Sequence, residues 1–480
     1  MQQKAPANIG ITGFLVFITG LILLACEPEQ EKFTFDPSAS LRFSSDSVKF
    51  DTVFTSIGSI TKRLKVYNDS RNAVNISSII LQSGNLSPFD IVVNGVNASK
   101  HENIRLLGKD SLLVLVEVLI DPEDEDLPFL VTDQIEFLTN GNNQNVPLVA
   151  YGQDAVFLNG EVLACNTTWT ANRPYVIYNS VLVDSLCKLT IEPGARIYSH
   201  NASFIFVQGS LEAAGTAESP ILFSNDRFEE NFINAPGQWG GIIMLEGSKD
   251  HVIDHARIRN AQVGIYLGTP DDDANPDLVV SNSIIENIGG GEALPTGDFQ
   301  VLPGFGLIAF NSDLYAYNVL INNCEIQTIG NYAGGNYRYE HCTLANFSFQ
   351  FFRQSPSVLF ADNLILDDNS LLQFPLNVSL LNSIVWGSLS DELTISITNE
   401  ATAQIDIRDN LIRTLEFRDA LGDVNLINAD PFFADPRLYD YQLDDGSPAI
   451  DRGSDIGIPT DLTGTPRDAD PDLGAYEKIK

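Results

Sequence analysis

Ser281-Asn282-Ser283-Ile284-Ile285 is one copy of a phrase on which the fold turns: one residue, then Asn, any residue, and two apolar residues. The phrase returns as Tyr317-Asn318-Val319-Leu320-Ile321, Asp362-Asn363-Leu364-Ile365-Leu366, Leu381-Asn382-Ser383-Ile384-Val385 and Asp409-Asn410-Leu411-Ile412. Two further copies carry histidine in the Asn slot, Asp254-His255-Ala256-Arg257-Ile258 and Glu340-His341-Cys342-Thr343-Leu344. Successive slots lie 27, 36, 23, 22, 19 and 28 residues apart. A base period near 20 residues with variable insertions is the signature of a solenoid. Each copy holds a strand-like apolar pair and no helical i, i+4 stripe, so the coil is built of β-strands. In a parallel coil the same position of each turn stacks at about 4.8 Å. One residue of each apolar pair then points inward and joins an aliphatic column. Asn at a corner tolerates left-handed backbone angles and bonds its neighbours above and below. The slot, His255 and His341 included, therefore reads as scaffold.

Outward from the repeat, the stretch from Val156 to Arg227 breaks short strands with Gly and Pro. It reads Leu189-Thr190-Ile191-Glu192-Pro193-Gly194-Ala195, then Phe204-Ile205-Phe206-Val207-Gln208-Gly209-Ser210-Leu211, then Pro236-Gly237-Gln238-Trp239-Gly240-Gly241-Ile242. This phrasing resembles the right-handed parallel β-helices of the pectate-lyase-like superfamily. The resemblance runs from about Cys165 to the end of the chain, and it speaks to fold more than to activity. Asp430-Pro431-Phe432-Phe433, Gly446-Ser447-Pro448-Ala449-Ile450-Asp451 and Asp472-Leu473-Gly474-Ala475-Tyr476-Glu477 resemble the closing segment of exported β-helix proteins. A solenoid needs such an atypical unit to cover its last apolar rung.

Ahead of the coil, residues 33–153 alternate short apolar strands with turn signals, among them Asn94-Gly95 and Asn140-Gly141. About seven strands in this length suit an immunoglobulin-like sandwich. Residues 1–25 are a targeting segment: Lys4 is the only charge, and Ile9 to Leu24 is almost wholly apolar or small. Leu23-Leu24-Ala25-Cys26 resembles the lipobox of bacterial lipoproteins, which implies a lipid on Cys26 and a membrane-anchored chain. The acidic run after Cys26 resembles signals that send lipoproteins to the outer-membrane surface of Gram-negative cells. The expected order is a signal peptide (1–25), a tether (26–32), the sandwich (33–153), the β-helix (156–428) and a C-terminal cap (429–480). The expected fold class is all-β.

The chain carries 63 acidic and 28 basic residues, a formal net charge of −35. That charge repels nucleic acid and argues against polyanionic ligands. It leaves room for calcium, the one cofactor the residues suggest. The loop Gly268-Thr269-Pro270-Asp271-Asp272-Asp273-Ala274-Asn275-Pro276-Asp277 offers Asp271, Asp272, Asp273 and Asp277 as hard oxygen ligands. Cys165 and Cys187 are a candidate disulfide in an exported chain. Tyr315 with Tyr317, and Tyr337 with Tyr339, alternate along strands. Each pair is either a sugar-stacking platform facing out or an aromatic core facing in, and Tyr337, Arg338 and Tyr339 make the candidate glycan contact. Phe347, Phe349 and Phe351 alternate likewise and read as core. The paired-Asp and Gly-His-Gly phrases of polygalacturonases are absent, as are lyase motifs around Arg257, Arg259 and Arg338. The sequence thus favours a non-catalytic surface protein that presents a face to polysaccharide or another surface partner. The alternative is a polysaccharide lyase or glycoside hydrolase, and a plain structural spacer is a third reading.

Overall fold

A computed structural model describes residues 32–268, 275–291, 294–296, 299–301, 303–347, 349–366 and 368–479. Segment 1–25, Cys26, and Asp271, Asp272 and Asp273 lie outside the described residues. The chain divides into two compact units, Met1–Gln153 and Asp154–Lys480. Among the described residues no helix is long and apolar enough to cross a membrane.

In the first unit, alternation does the work the sequence implies. Ser111–Val118 buries every second side chain, and the buried set makes one core including Leu64, Val66, Phe89, Val114 and Phe137. Among its described residues ten strands form two five-stranded sheets, more than the seven expected because short edge pieces such as Arg42–Phe43 and Val96–Asn97 pair as well. Among the described strands all pairings are antiparallel except that of Asn142–Gln153 with Val48–Phe54, and the isolated bridge of Phe33 with Ala73 is parallel too. Both Asn-Gly pairs close two-residue hairpins in which Asn and Gly have positive φ, 51° and 79° at Asn94-Gly95 and 50° and 87° at Asn140-Gly141. A turn with two left-handed residues matches the twist of the strands it joins. Asp121 to Pro128 is an exposed loop.

Among its described residues the second unit is one 25-stranded sheet wound into a parallel coil, with three two-stranded antiparallel hairpins beside it. Strands pair mostly with the strand three further along, so each turn has three faces. The apolar pairs of the repeat behave as expected. Ile197, Phe223, Ile258, Ile285, Ile321, Leu344, Val385 and Ile412 stand in register on successive turns, and all are buried. Each such side chain contributes roughly 1.5–3 kcal/mol when fully buried, and the column runs through the coil without a polar break.

The corners follow the same logic with two corrections. His255, Asn282, Asn318, His341 and Asn382 all have φ between 45° and 51°. Asn318 donates to Asn282 Oδ1 (3.0 Å), and Asn382 Nδ2 lies 2.9 Å from His341 Nε2. On the next turn, however, Leu411 pairs with Ile384, so the slot falls on Asp409 (φ 56°) and not on Asn410. Asn363 is not a corner at all. It leaves the coil in a hairpin of Asn363–Ile365 with Leu371–Gln373, and Asp362 anchors the hairpin's base by accepting from Thr398 and Asn399 backbone N–H at 2.9 and 2.8 Å.

A second buried ladder follows at the other end of each strand. Asn260 donates to Asn225, Asn287 to Asn260 and Asn323 to Asn287. Each stands five residues after a corner residue, a spacing written in the sequence but not read there.

Cys165 and Cys187 are joined by a disulfide with Cα atoms 4.7 Å apart, beside the stacked rings of Trp169 and Tyr175 at the coil's entrance. Cys324 and Cys342 are buried free thiols, and burial pushes the Cys342 thiol up to about 12. The C-terminal segment caps the coil mainly from the side. Ser454, Thr460, Gly474 and Ala475 bond to Asn382, Asn318 and Thr343, while Leu443, Ala449 and Leu473 pack on Ile384, Trp386 and Leu411. At the end of the coil Ile427 continues the column in register with Ile412, and Phe417 and Leu421 pack against the same core. The outer apolar side chains of several turns, not only of the last one, need covering.

Candidate functional site

The strands Leu278–Ser281, Leu376–Leu381 and Ala403–Arg408, with the C-terminal parts of Phe305–Tyr317 (from Ser312) and Gln327–Glu340 (from Gly335), form one face of the coil. Period-two alternation splits them into inward and outward columns. Leu278, Leu314, Tyr337, Val378 and Ile405 make one inward column, and Val280, Ala316, Tyr339, Leu380 and Ile407 another.

That register overturns the expected contact at Tyr337 and Tyr339, which are only 2 % and 1 % exposed. Tyr339 stands in register with the small Ala316 of the preceding turn. The Tyr339 hydroxyl donates to Asn331 Oδ1 (2.8 Å) and that of Tyr337 to the Gly334 carbonyl (2.8 Å), satisfying the polar ends that burial would otherwise leave costly. Burial also pushes both phenols above their ordinary range. Arg338, between them, does face out.

The outward columns build a groove of about 500 Å³. Asp313, Asn336, Asn377 and Gln404 stand on four successive turns, and Tyr315, Arg338, Ser379 and Asp406 stand beside them. The first column is wired as a ladder: Asn336 Nδ2 donates to Asp313 Oδ1 (2.6 Å), and Asn377 Nδ2 to Asn336 Oδ1 (2.6 Å). Asp313 is itself placed by its backbone N–H, which donates to Asp277 Oδ2 at 2.8 Å.

In the second column Arg338 lies over the Tyr315 ring, 4.5 Å from its centroid. Its Nε and Nη2 both reach Glu340 Oε1, at 2.7 and 2.6 Å. Tyr315 Oη donates to Glu340 Oε2 at 2.7 Å. Partial burial, reinforced by that carboxylate, raises the Tyr315 phenol well above its ordinary range, so it stays a protonated donor. Tyr315 and Tyr317 lie side by side with centroids 5.1 Å apart. The hairpin that precedes Leu376–Leu381 leaves Ile365, Leu371 and Phe374 exposed.

Of the residues singled out in the sequence, Arg338 and the Tyr315 ring belong to this groove. Asp277 stands behind it as a buried acceptor. Among the described residues no three His, Cys, Asp or Glu side chains converge as a metal would require. Phe347 and Phe349 stack at 5.2 Å outside the coil, and Phe347 packs against Phe433 and Tyr441 of the C-terminal segment. They are therefore not an interior stack. Asp313, Asn377 and Gln404 were missed, although they and Asn336, which adjoins the Tyr337 and Tyr339 pair in the sequence, each stand five residues before a corner residue. The signal was obscured because Asn363 mimics a corner and Asp409 does not.

The carboxylates of the groove are poorly spaced for hydrolysis. Asp313 and Asp406 stand three turns apart, roughly 14 Å along the coil, whereas a glycosidase pair needs about 5 to 9.5 Å. Glu340 is held by Arg338 and Tyr315.

Residues 160–275 match the family described as a pectate-lyase like beta helix domain, in line with the parallel coil. No curated protein matches the chain. Among solved structures, similarities include the ASH / PapD-like domain of human CEP192 (13 % identity, 27 % of this chain and 93 % of that chain, TM-score 0.18). The E. coli chaperone DraB is another (17 %, 23 % and 54 %, TM-score 0.17). A third is a protein of unknown function from Porphyromonas gingivalis W83 (11 %, 26 % and 59 %, TM-score 0.18).

Proposed function

We propose that this protein is a lipid-anchored surface protein of a Gram-negative envelope whose coil holds a glycan in the Asp313–Gln404 groove without cleaving it. The observation that carries the reading is the outward column of planar amide and carboxylate side chains, one per turn, beside Tyr315, Arg338 and Ser379. Such groups pair with the vicinal hydroxyls of a sugar. The similarity of residues 160–275 to a pectate-lyase-like domain supports a glycan-related role. The carboxylate spacing supports binding over hydrolysis.

The test is incubation of the purified protein with a panel of polysaccharides. Retention of a glycan with no new reducing ends and no unsaturated product is expected, with or without added calcium. Either product would contradict the non-catalytic reading and favour a lyase or hydrolase. For the anchor, Cys26→Ser is expected to leave the protein in the soluble fraction, and unchanged membrane partition would refute it.

A further inference from the structure

We infer that the ligand of the groove is a neutral, hydroxyl-rich glycan lying along the coil axis, and not a uronate polymer. The inference rests on the glycan-binding reading above and deepens it by assigning the substrate class. Three observations point the same way.

Arg338, the one cation among the described lining residues, is already answered. Arg338 is half exposed, but Glu340 takes its Nε and Nη2 edge through a nearly buried carboxylate at 2.7 and 2.6 Å. The pair sums to no net charge and leaves little attraction for an anionic sugar. Recognition of a uronate would favour a guanidinium with a free bidentate edge and no competing carboxylate.

The charges at the ends of the lining offer an anionic sugar no unanswered cation. Asp313 and Asp406 put carboxylates at the two ends of the lining, Asp406 partly offset by Arg408 at 3.2 Å. The chain as a whole carries −35, so no distant positive field compensates.

The middle of the groove is neutral and spaced for sugar rings. Asn336, Asn377 and Gln404 present one amide per turn, flanked by Ser379. The turns repeat at about 4.8 Å, close to the length of one sugar unit in an extended chain. Hydrogen bonds from amides to hydroxyls are weaker than ion pairs. Their merit here is directional: the ladder fixes the planes of Asn336 and Asn377, and each NH2 keeps a second N–H to donate.

The experiment measures binding of the purified full chain to neutral glucans, mannans, galactans and xylans, and to polygalacturonate and alginate. Each is run at low salt and at about 0.5 M salt, where surface charge interactions are strongly screened. The expected result is an affinity at least about tenfold higher for a neutral glycan than for either uronate polymer. That affinity should change by less than about twofold with salt. Arg338→Gln removes the counter-charge of Glu340 and makes the groove more negative, so the neutral-to-uronate ratio is expected to hold or rise. Uronate binding that weakens with salt and is lost in Arg338→Gln would overturn the inference while leaving a glycan-binding groove. Failure of every polysaccharide to bind would overturn the glycan reading, and the inference with it.

Discussion

His341 occupies a corner that asparagine fills at 282, 318 and 382. The substitution is conservative in shape but not in protons. Burial, reinforced by Arg467, depresses the His341 imidazole to about 3, and burial alone depresses that of His251 to about 4. Both rings are neutral when folded, whereas in the unfolded chain they protonate below about 6.5. Between those limits the unfolded state binds more protons, so stability falls as pH drops from about 6.5 toward the folded values. From pH 7 to pH 5 each histidine should cost on the order of 2 kcal/mol. His341→Asn should retain a corner that accepts Asn382's amide and remove about half of this slope. Urea unfolding at the two pH values checks it, and an unchanged slope would show that His341 does not titrate as argued. The tyrosines teach the complementary lesson. That Tyr337 and Tyr339 share a face was legible from alternation. That the face points inward was not, because it depends on the register with Ala316, one turn earlier in space and 23 residues earlier in sequence.

At the scale of the element, the turns between strands carry polar devices that the apolar repeat does not announce. Arg353 and Glu392 form a two-pronged ion pair with both contacts at 2.7 Å, and their side chains are 1 % and 0 % exposed. Glu392 also accepts the backbone N–H of Ser357 (3.0 Å) and Leu389 (2.8 Å), and Arg353 donates to the Ser355 and Asn346 carbonyls. The pair thus fastens two loops on adjoining turns. Gly387 fits beneath it because a Cβ there would lie 2.2 Å from Glu392 Oε1. Glu392→Gln would leave a buried guanidinium without its counter-charge, and the coil should lose about 3–5 kcal/mol. Chemical denaturation measures this, and a loss below about 1 kcal/mol would match an ordinary exposed pair and contradict the burial. Nothing in the sequence pairs Arg353 with Glu392. They are 39 residues apart, and only the insertions between strands bring them together.

Across the whole molecule, the parts that repeat were legible and the parts that depart from repetition were not. The Asn phrase and its apolar pairs specify a β-coil because stacking demands the same residue type at the same place on every turn. The Asn-Gly hairpins and alternating strands of the first unit are local signals of the same strength. The C-terminal segment was legible as a closing unit, but its course along the side depends on outer residues such as Ile384, Trp386 and Leu411 that sequence alone cannot assign to a surface. The groove was hidden for a related reason. Its side chains recur at the coil's own period, yet insertions of different length separate them, and a false corner at Asn363 shifts the count. The most direct test is glycan binding by the double variant Asn336→Ala/Asn377→Ala, measured by affinity electrophoresis beside the unaltered protein. Both side chains lie outside the apolar core, so thermal unfolding should change little while retention by the bound glycan falls at least about tenfold, as expected when two directional hydrogen-bonding groups are lost. Full retention by the double variant, with the fold intact, would contradict the account and place the ligand elsewhere on the chain.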